Sequence, residues 1–352
     1  MKAPFVWDTH SDQPYPLKDK AYKKRMRKRH LWDYVPLLLT NIILFPLSMA
    51  LMSLFKGKEA GKEGFYGMGV NLEQGEVQKE LIEELGVKHL LVRMPLWEID
   101  RVDEYVTFIQ SFGKDKQILL NILQDREHIE NKALLEKDIN SIFEKFSPFV
   151  KEYQIGNAIN RTKWGFFSMG EYLTWFESIQ RIRDAKYPEL KLIGSSVIDF
   201  EYHYTIRTLF NFFSLKYDKL SSLLYVDRRG SPKNRQMGIF DTKNKISMLY
   251  ALAKLSPKTT DEIYITEVNW PRSNTAPYAP TSEFECVSEE EYAKFMTEYL
   301  EIAKESGKVQ RVYWHQLIAA GYGLVDDRAG IIRKTKAFEV YKLLLKDHHG
   351  NS

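Results

Sequence analysis

The chain has 352 residues, of which 44% are hydrophobic and 28% are charged, the composition of an ordinary globular protein. Its single cysteine, Cys286, excludes an intramolecular disulfide framework and a cysteine-based metal cluster. The net charge of +4 is unevenly distributed: residues 1–33 carry nine basic and four acidic residues, or +5, and the other 319 residues sum to −1. A nucleic-acid-binding body is disfavoured, because it would need a basic surface of its own.

A charge-free stretch of 22 residues, 34–55, follows the basic run directly. About 20 apolar residues are enough for a helix to cross a bilayer, so this stretch predicts an uncleaved membrane anchor. Basic residues concentrate before it, and the positive-inside rule therefore predicts an inner-membrane protein with a cytoplasmic N-terminus and a periplasmic body. The alternative is a basic hairpin on the inner membrane surface, with a cytoplasmic body. The predicted segments are a basic cytoplasmic arm (1–33), a transmembrane helix (34–55), a linker (56–63), a barrel (64–346) and a tail (347–352).

From residue 64 the chain alternates short apolar runs with segments of helical period, predicted at 75–86, 169–185, 288–307 and 334–346. Eight strand–helix units over this length predict an α/β protein of the (β/α)8 TIM-barrel class. A doubly wound open sheet is the alternative, which the lack of a glycine-rich phosphate loop disfavours. The predicted strands are 64–70, 89–96, 117–123, 152–159, 190–198, 221–227, 262–270 and 311–318.

Polar and aromatic residues follow these strands at their carboxyl ends, where a TIM barrel builds its active site. Together they fit a sugar site, because carboxylates cleave glycosidic bonds, amides bind hydroxyl groups and aromatic faces pack on pyranose rings. The run Asp227–Arg229 is open to two interpretations, a solvated turn or a site that grips an acidic sugar or a phosphate group. The candidates at strand ends are Arg93, Asn157, Ala158, Asn160, Asp199, Glu201, Tyr225, Asp227, Arg228, Glu267, Asn269, Trp270, Trp314, His315 and Gln316.

The order of these residues resembles that of the large clan of retaining glycoside hydrolases with (β/α)8 barrels. The resemblance covers residues 64–346 and consists of short motifs on successive strands. It implies that Glu267, in IYITEVNWP at the end of strand 7, is the catalytic nucleophile and that Arg93 and Tyr225 support it. The remaining residues expected to contact substrate are Asn157, Asn160, Trp164, Asp227, Arg228, Asn269, Trp270, Trp314 and His315.

One position departs from the pattern of the clan. Strand 4 of the clan ends in Asn-Glu, whose Glu is the general acid/base, whereas IGNAIN places Ala158 there. Retaining hydrolysis needs two carboxyl groups about 5–5.5 Å apart. Three explanations are open: an engineered alanine, glycan binding without cleavage, or a displaced carboxylate from Asp199, Glu201 or Asp227. The self-consistent loop INRTKWGFF favours a natural alanine.

We therefore expect a membrane-anchored, glycoside-hydrolase-like protein acting on a cell-envelope carbohydrate, with Glu267 as nucleophile and a vacant acid/base position. A non-catalytic glycan-binding pseudo-enzyme in surface-polysaccharide assembly is the alternative. No cofactor and no metal are expected, since the eight histidines show no HxH or HExxH spacing. The expected partners are carbohydrate and membrane, and not nucleic acid. The identity of the sugar and the oligomeric state stay open.

Overall fold

The computed structural model describes residues 1–58 and 64–350, and its centre is a closed barrel of eight parallel strands. Each strand pairs with the next one along the chain and the eighth pairs with the first, so the sheet has no edge. The architecture confirms the predicted (β/α)8 barrel, and every predicted strand overlaps an observed one. The strands are β1 (Tyr66–Val70), β2 (His89–Pro95), β3 (Gln117–Leu123), β4 (Glu152–Ile155), β5 (Lys191–Ile198), β6 (Lys219–Leu223), β7 (Ile263–Ile265) and β8 (Arg311–Trp314).

Helices surround the barrel, and most of them pack an apolar stripe against the outer face of the strands. They are α1 (Lys20–Arg29), α2 (Tyr34–Leu51), α3 (Val77–Leu85), α4 (Val102–Ser111), α5 (Arg126–Glu130), α6 (Lys132–Phe146), α7 (Met169–Lys186), α8 (Tyr202–Leu209), α9 (Thr242–Leu255), α10 (Glu289–Glu305) and α11 (Lys336–Gly350). The start of α10 is a capping box, in which Ser288 and Glu291 each accept a hydrogen bond from the backbone N–H of the other.

The barrel encloses a small core that is separate from the larger core between strands and helices. Leu91, Leu119, Ile193, Tyr264 and Tyr313 come from five different strands and form this inner cluster. Because neighbouring residues of a strand point to opposite faces, the residue after each of these faces the helices instead. This alternation decides which strand-end residues reach the active site.

The N-terminal residues pack against the barrel. A hairpin of Trp7–Asp8 and Gln13–Pro14 lies over the carboxyl ends of the strands. Helix α2 then runs along the side of the barrel against α8 and α9, and Lys58 reaches the opposite end, where it pairs with Asp261 at 2.9 Å. Residues on both sides of α2 therefore belong to one packed body.

The predicted segment boundaries can be compared with these elements. Within the described ranges, one helical stretch, Leu31–Leu51, is long and apolar enough to cross a membrane, with a mean hydropathy of 1.8. Helix α11 continues to Gly350, past the predicted end of the barrel at residue 346. Residues 59–63 of the predicted linker and 351–352 of the predicted tail lie outside the described residues.

Candidate active site

A cavity of about 200 Å³ opens at the carboxyl ends of the barrel strands, the position at which TIM-barrel enzymes bind substrate. Its wall combines residues from the strand ends with residues from the N-terminal hairpin and from the loop after β7. The lining residues are Ser11, Asp12, Gln13, Arg93, Ala158, Arg161, Lys163, Trp164, Ile198, Asp199, Tyr225, Arg229, Glu267, Asn269, Pro280, Thr281, His315 and Tyr322.

Glu267 lies at the centre of the cavity, and three side chains hold its carboxylate. Arg93 forms an ion pair with Oε2, and the hydroxyl group of Tyr225 donates a hydrogen bond to Oε1 at 2.6 Å. The amide nitrogen of Asn157 lies 3.5 Å from Oε2. Burial by itself would raise the pKa of Glu267, but the charge of Arg93 and these hydrogen bonds outweigh it and lower the pKa to about 2. The carboxylate is therefore ionised and fixed in orientation, as a nucleophile requires.

Asn157 reaches Glu267 from beneath the cavity rather than from its wall. Its side-chain oxygen accepts hydrogen bonds from Asn121 at 3.1 Å and Gln154 at 3.3 Å, and its backbone N–H and C=O both bond to the side chain of Gln124. This buried amide network fixes the direction of the Asn157 amide group. In the structure Asn157 therefore contacts Glu267, and the contact with sugar that the sequence predicted stays a prediction.

Ala158 lies on the cavity wall at the end of β4, where the resemblance places the acid/base residue. Its backbone is in the left-handed region, with φ of 44°. A methyl group cannot transfer a proton, so this position supplies no general acid. Besides Glu267, two carboxylates line the cavity among the described residues, Asp12 and Asp199.

Asp12 comes from the N-terminal hairpin and binds Nη1 of Arg93, whereas Glu267 binds Nη2. Arg93 Nη1 donates to the Asp12 carbonyl oxygen at 2.9 Å and to Oδ2 at 3.0 Å, and the side-chain amide of Gln316 donates to the same Oδ2 at 2.5 Å. The neighbouring Gln13 accepts a hydrogen bond from Lys163 at 2.6 Å. The hairpin is therefore part of the site.

Trp164, Asn269 and His315 line the cavity, as the sequence predicted for substrate-binding residues. The Arg93 guanidinium carbon lies 5.9 Å from the centroid of the Trp164 ring. Asn269 donates to the backbone carbonyl of His315 at 2.6 Å. Burial and the charge of Arg93 lower the pKa of His315 to about 3, so its imidazole is neutral and offers a hydrogen bond without a charge.

Other predicted substrate contacts do not reach the cavity wall. Trp270 and Trp314 are fully buried and stack on each other between the barrel and α10, with ring centroids 5.9 Å apart. Trp314 follows Tyr313 in β8, and the alternation along the strand turns its ring outward, where its indole N–H donates to Tyr292 at 2.7 Å. Asn160 donates to the carboxylate of Glu201 at 2.7 Å and stabilises the adjoining loop.

Asp227 and Arg228 line a second cavity of about 310 Å³ that adjoins the first. Arg161, Asp199, Tyr225 and Arg229 line both cavities. Sequence reasoning did not single out Asp12, Arg161 or Lys163, because Asp12 lies far from the barrel in sequence and the other two lie in a loop without a recognisable motif.

A metal centre has no support in the described ranges, where no group of three or more His, Cys, Asp or Glu residues is arranged to hold an ion. The residues around Glu267 are instead suited to covalent catalysis or to the binding of a polyhydroxylated ligand. The donor groups of Arg93, Tyr225 and Asn157 already engage both oxygens of the Glu267 carboxylate.

The fold is that of known glycoside hydrolases of clan A. A β-glucosidase from Exiguobacterium marinum is similar with a TM-score of 0.61 and 12% identity, over 83% of this chain and 99% of the other. A β-glucosidase from Thermotoga maritima in complex with castanospermine has a TM-score of 0.58 and 11% identity over 82% and 99% of the two chains. A GH2 β-galacturonidase from Eisenbergiella tayi, bound to galacturonate, has a TM-score of 0.54 and 15% identity over 83% of this chain and 52% of the other. At these identities the likeness shows the fold. No family model and no curated protein matches the sequence.

Proposed function

We propose that this protein is a glycoside-hydrolase-like protein that acts on a cell-envelope carbohydrate, with Glu267 as the nucleophile of a retaining site. The observation that carries the proposal is the arrangement of Arg93 and Tyr225 around the Glu267 carboxylate at the carboxyl end of β7. In this scheme an oxygen of Glu267 attacks the anomeric carbon, and the bond from that carbon to the departing oxygen breaks. The fold shared with β-glucosidases and a β-galacturonidase supports a carbohydrate ligand.

The departing oxygen must gain a proton, and Ala158 cannot supply it. General acid catalysis contributes about 10²–10⁴-fold in rate, and the reaction depends on it most when the leaving group is poor. Ala158 therefore favours a second candidate function, a protein that binds glycan in the same cavity without cleaving it.

The test replaces Glu267 by Gln, which removes the negative charge and keeps the size of the side chain. We expect Glu267→Gln to abolish hydrolysis of aryl glycosides and to leave glycan affinity largely intact, because the nucleophile is lost and the cavity is preserved. Turnover and glycan-array binding of the full chain are measured beside Glu290→Gln, an exposed residue of α10. Unchanged turnover in Glu267→Gln would contradict the nucleophile role.

A second variant separates hydrolase from binding protein. If the wild type is a binding protein, Ala158→Glu restores the acid/base carboxyl group and increases hydrolysis of aryl glycosides by about 10²–10⁴-fold. If the wild type already hydrolyses these substrates well, the pseudo-enzyme proposal fails.

We also propose that the protein is attached to a membrane surface through α1 and α2. Helix α2 exposes an apolar face that includes Leu38, Ile42 and Ile43, and α1 before it is strongly basic. If α2 crossed a bilayer, about 30 Å of hydrocarbon would separate the residues before it from the barrel after it. In the structure, however, Asp12, which precedes α2, pairs with Arg93 of the barrel. The packing therefore favours the alternative, in which α2 lies on an anionic, cytoplasmic membrane surface, and disfavours a spanning helix with a periplasmic barrel.

A further inference from the structure

The catalytic cavity carries more cationic than anionic side chains among its described lining residues. Arg93, Arg161, Lys163 and Arg229 line it, against the carboxylates of Asp12, Asp199 and Glu267. A buried charge is costly unless an opposite charge or several hydrogen bonds compensate it. The partners of each cation therefore show where the cavity has unused positive charge.

Two of the four cations are fully neutralised. Arg93 pairs with Glu267 and with Asp12. Arg161 pairs with Asp199 at 2.7 Å and with Glu201 at 2.6 Å. These guanidinium groups hold the site together and have no charge left for a ligand.

Lys163 has no such partner. Its ammonium group donates to the neutral side-chain oxygen of Gln13 at 2.6 Å, and no carboxylate of the described residues lies within 4.0 Å of it. Burial is the largest influence on this group and lowers the pKa of Lys163 to about 8. An anion that binds beside such an ammonium group stabilises its charged form, because the anion compensates the hydration lost on burial.

Arg229 is the second cation with unused charge. Its guanidinium carbon lies over the Tyr225 ring, 3.5 Å from the ring centroid. The nearest carboxylate within the described chain is Asp199 at 3.8 Å, beyond hydrogen-bond distance and already engaged by Arg161. Its side chain is only 16% exposed, and no protein acceptor among the described residues takes a hydrogen bond from its guanidinium group.

The adjoining cavity adds two cations, Arg228 and Lys245, although its described lining also carries four carboxylates, Asp199, Glu201, Asp227 and Glu285. Lys245 lines it, is 2% exposed and has only the Tyr225 carbonyl oxygen at 3.5 Å as an acceptor among the described residues. Arg228 and Arg229 both have left-handed backbones, with φ of 47° and 52°. Non-glycine residues in this region cost free energy and cluster at functional sites.

We propose that the site recognises a sugar bearing a negatively charged substituent, a carboxylate or a phosphate, which Lys163 and Arg229 bind beside Glu267. The inference rests on the proposed carbohydrate function and names the class of sugar. A planar guanidinium and a neighbouring ammonium match an oxyanion, because both give charge-assisted hydrogen bonds.

The experiment is an NMR titration of the full-length chain in detergent with five sugars. Galacturonate, glucuronate and glucose 6-phosphate carry the anion, and galactose and glucose are the matched neutral compounds. We expect at least one anionic sugar to bind about 10-fold or more tightly than its neutral counterpart, a gap that narrows in high salt. Tight binding of the two uronates indicates a carboxylate, and tight binding of the phosphate indicates a phosphate.

Variants identify the residues responsible. Lys163→Gln and Arg229→Gln should each reduce affinity for the anionic sugar by about 10-fold and leave the neutral sugar within about twofold. Arg229→Lys, which keeps the charge, should restore part of the affinity and guards against a folding defect. The control is Lys114→Gln, an exposed lysine between α4 and β3.

The outcomes that contradict the inference differ from those that contradict the proposed function. Neutral sugars that bind as tightly as the anionic ones overturn this inference alone. Equal loss of neutral and anionic binding in Lys163→Gln and Arg229→Gln, with unchanged melting temperatures, also overturns it. If none of the five sugars binds, the proposed carbohydrate function fails and the inference fails with it.

Discussion

At the scale of single residues, the carboxylate of Glu267 shows how a buried acid stays ionised. Burial opposes its charge, and one guanidinium, one hydroxyl group and one amide together overcome that opposition. Tyr225 donates the shorter of the two neutral hydrogen bonds, at 2.6 Å, and its ring also lies under the guanidinium of Arg229. Tyr225 thus contacts both the proposed nucleophile and Arg229, one of the two cations proposed to bind an anionic sugar.

Removal of this hydroxyl group should change the pH dependence of the proposed reaction. A hydrogen bond to a charged group is worth about 1.5–3 kcal/mol, which corresponds to about 1–2 pKa units. Loss of a donor to the ionised form raises the pKa of Glu267, so Tyr225→Phe should move the acid limb of kcat/KM upward from about 2 by that amount. The profile is measured on an aryl glycoside from neutral pH down to about pH 2.5, a range in which the wild type should keep its activity and Tyr225→Phe should lose activity toward the acid end.

The control is Tyr250→Phe, which removes a hydroxyl group near Asp261 at the other end of the barrel. An acid limb at the same pH in Tyr225→Phe and the wild type would show that this hydroxyl group does not set the charge of Glu267.

At the scale of elements, strands and helices follow from local patterns, and the site follows only in part. Apolar runs and helical periods are local, and Glu267 and Arg93 follow from their strands. Trp314 and Trp270 show the limit, because a shift of one residue along a strand exchanges the interior for the helix layer. The contact of Asp12 with Arg93 spans 81 residues and has no periodic signal in the sequence.

Helix α2 carries a prediction about membranes. Trp32, just before α2, is 80% exposed and is the tryptophan with by far the greatest exposure within the described chain. Binding to vesicles that contain anionic lipid should shift its fluorescence to shorter wavelength, because the indole leaves water for the interface. Leu38→Glu with Ile42→Glu should abolish the shift, since each buried leucine or isoleucine contributes about 1.5–3 kcal/mol.

Two comparisons make this vesicle experiment decisive. Trp32→Phe should remove the fluorescence shift, but the variant should still sediment together with the vesicles. Neutral phosphatidylcholine vesicles should bind less protein than anionic ones. Equal sedimentation of the wild type and the double glutamate variant would refute attachment through α2.

At the scale of the whole molecule, the positive net charge is concentrated in the N-terminal segment. The basic N-terminal 33 residues include both α1 and the hairpin that covers the active site, while the remainder of the chain is nearly neutral. One continuous segment therefore lies at the proposed membrane surface and at the cavity.

The double variant Asp12→Ala with Gln13→Ala tests whether the hairpin contributes to ligand binding. It removes the partners of Arg93 and Lys163 and opens one side of the cavity, so affinity for a neutral sugar should fall by about 10-fold while vesicle binding persists. Lys18→Ala, an exposed neighbour, is the matched change and should alter neither property. Sugar affinity equal to the wild type would show that the hairpin only covers the site.

The docked hairpin also bears on how the protein must be produced. A membrane-associated chain is commonly shortened to a soluble fragment, and the natural place to cut here is just before Gly64. That cut would discard Asp12 and Gln13 along with the apolar helix, and it would leave Arg93 with one carboxylate instead of two. A negative glycan screen on such a fragment would describe a different pocket, so screening requires the intact chain in detergent or nanodiscs.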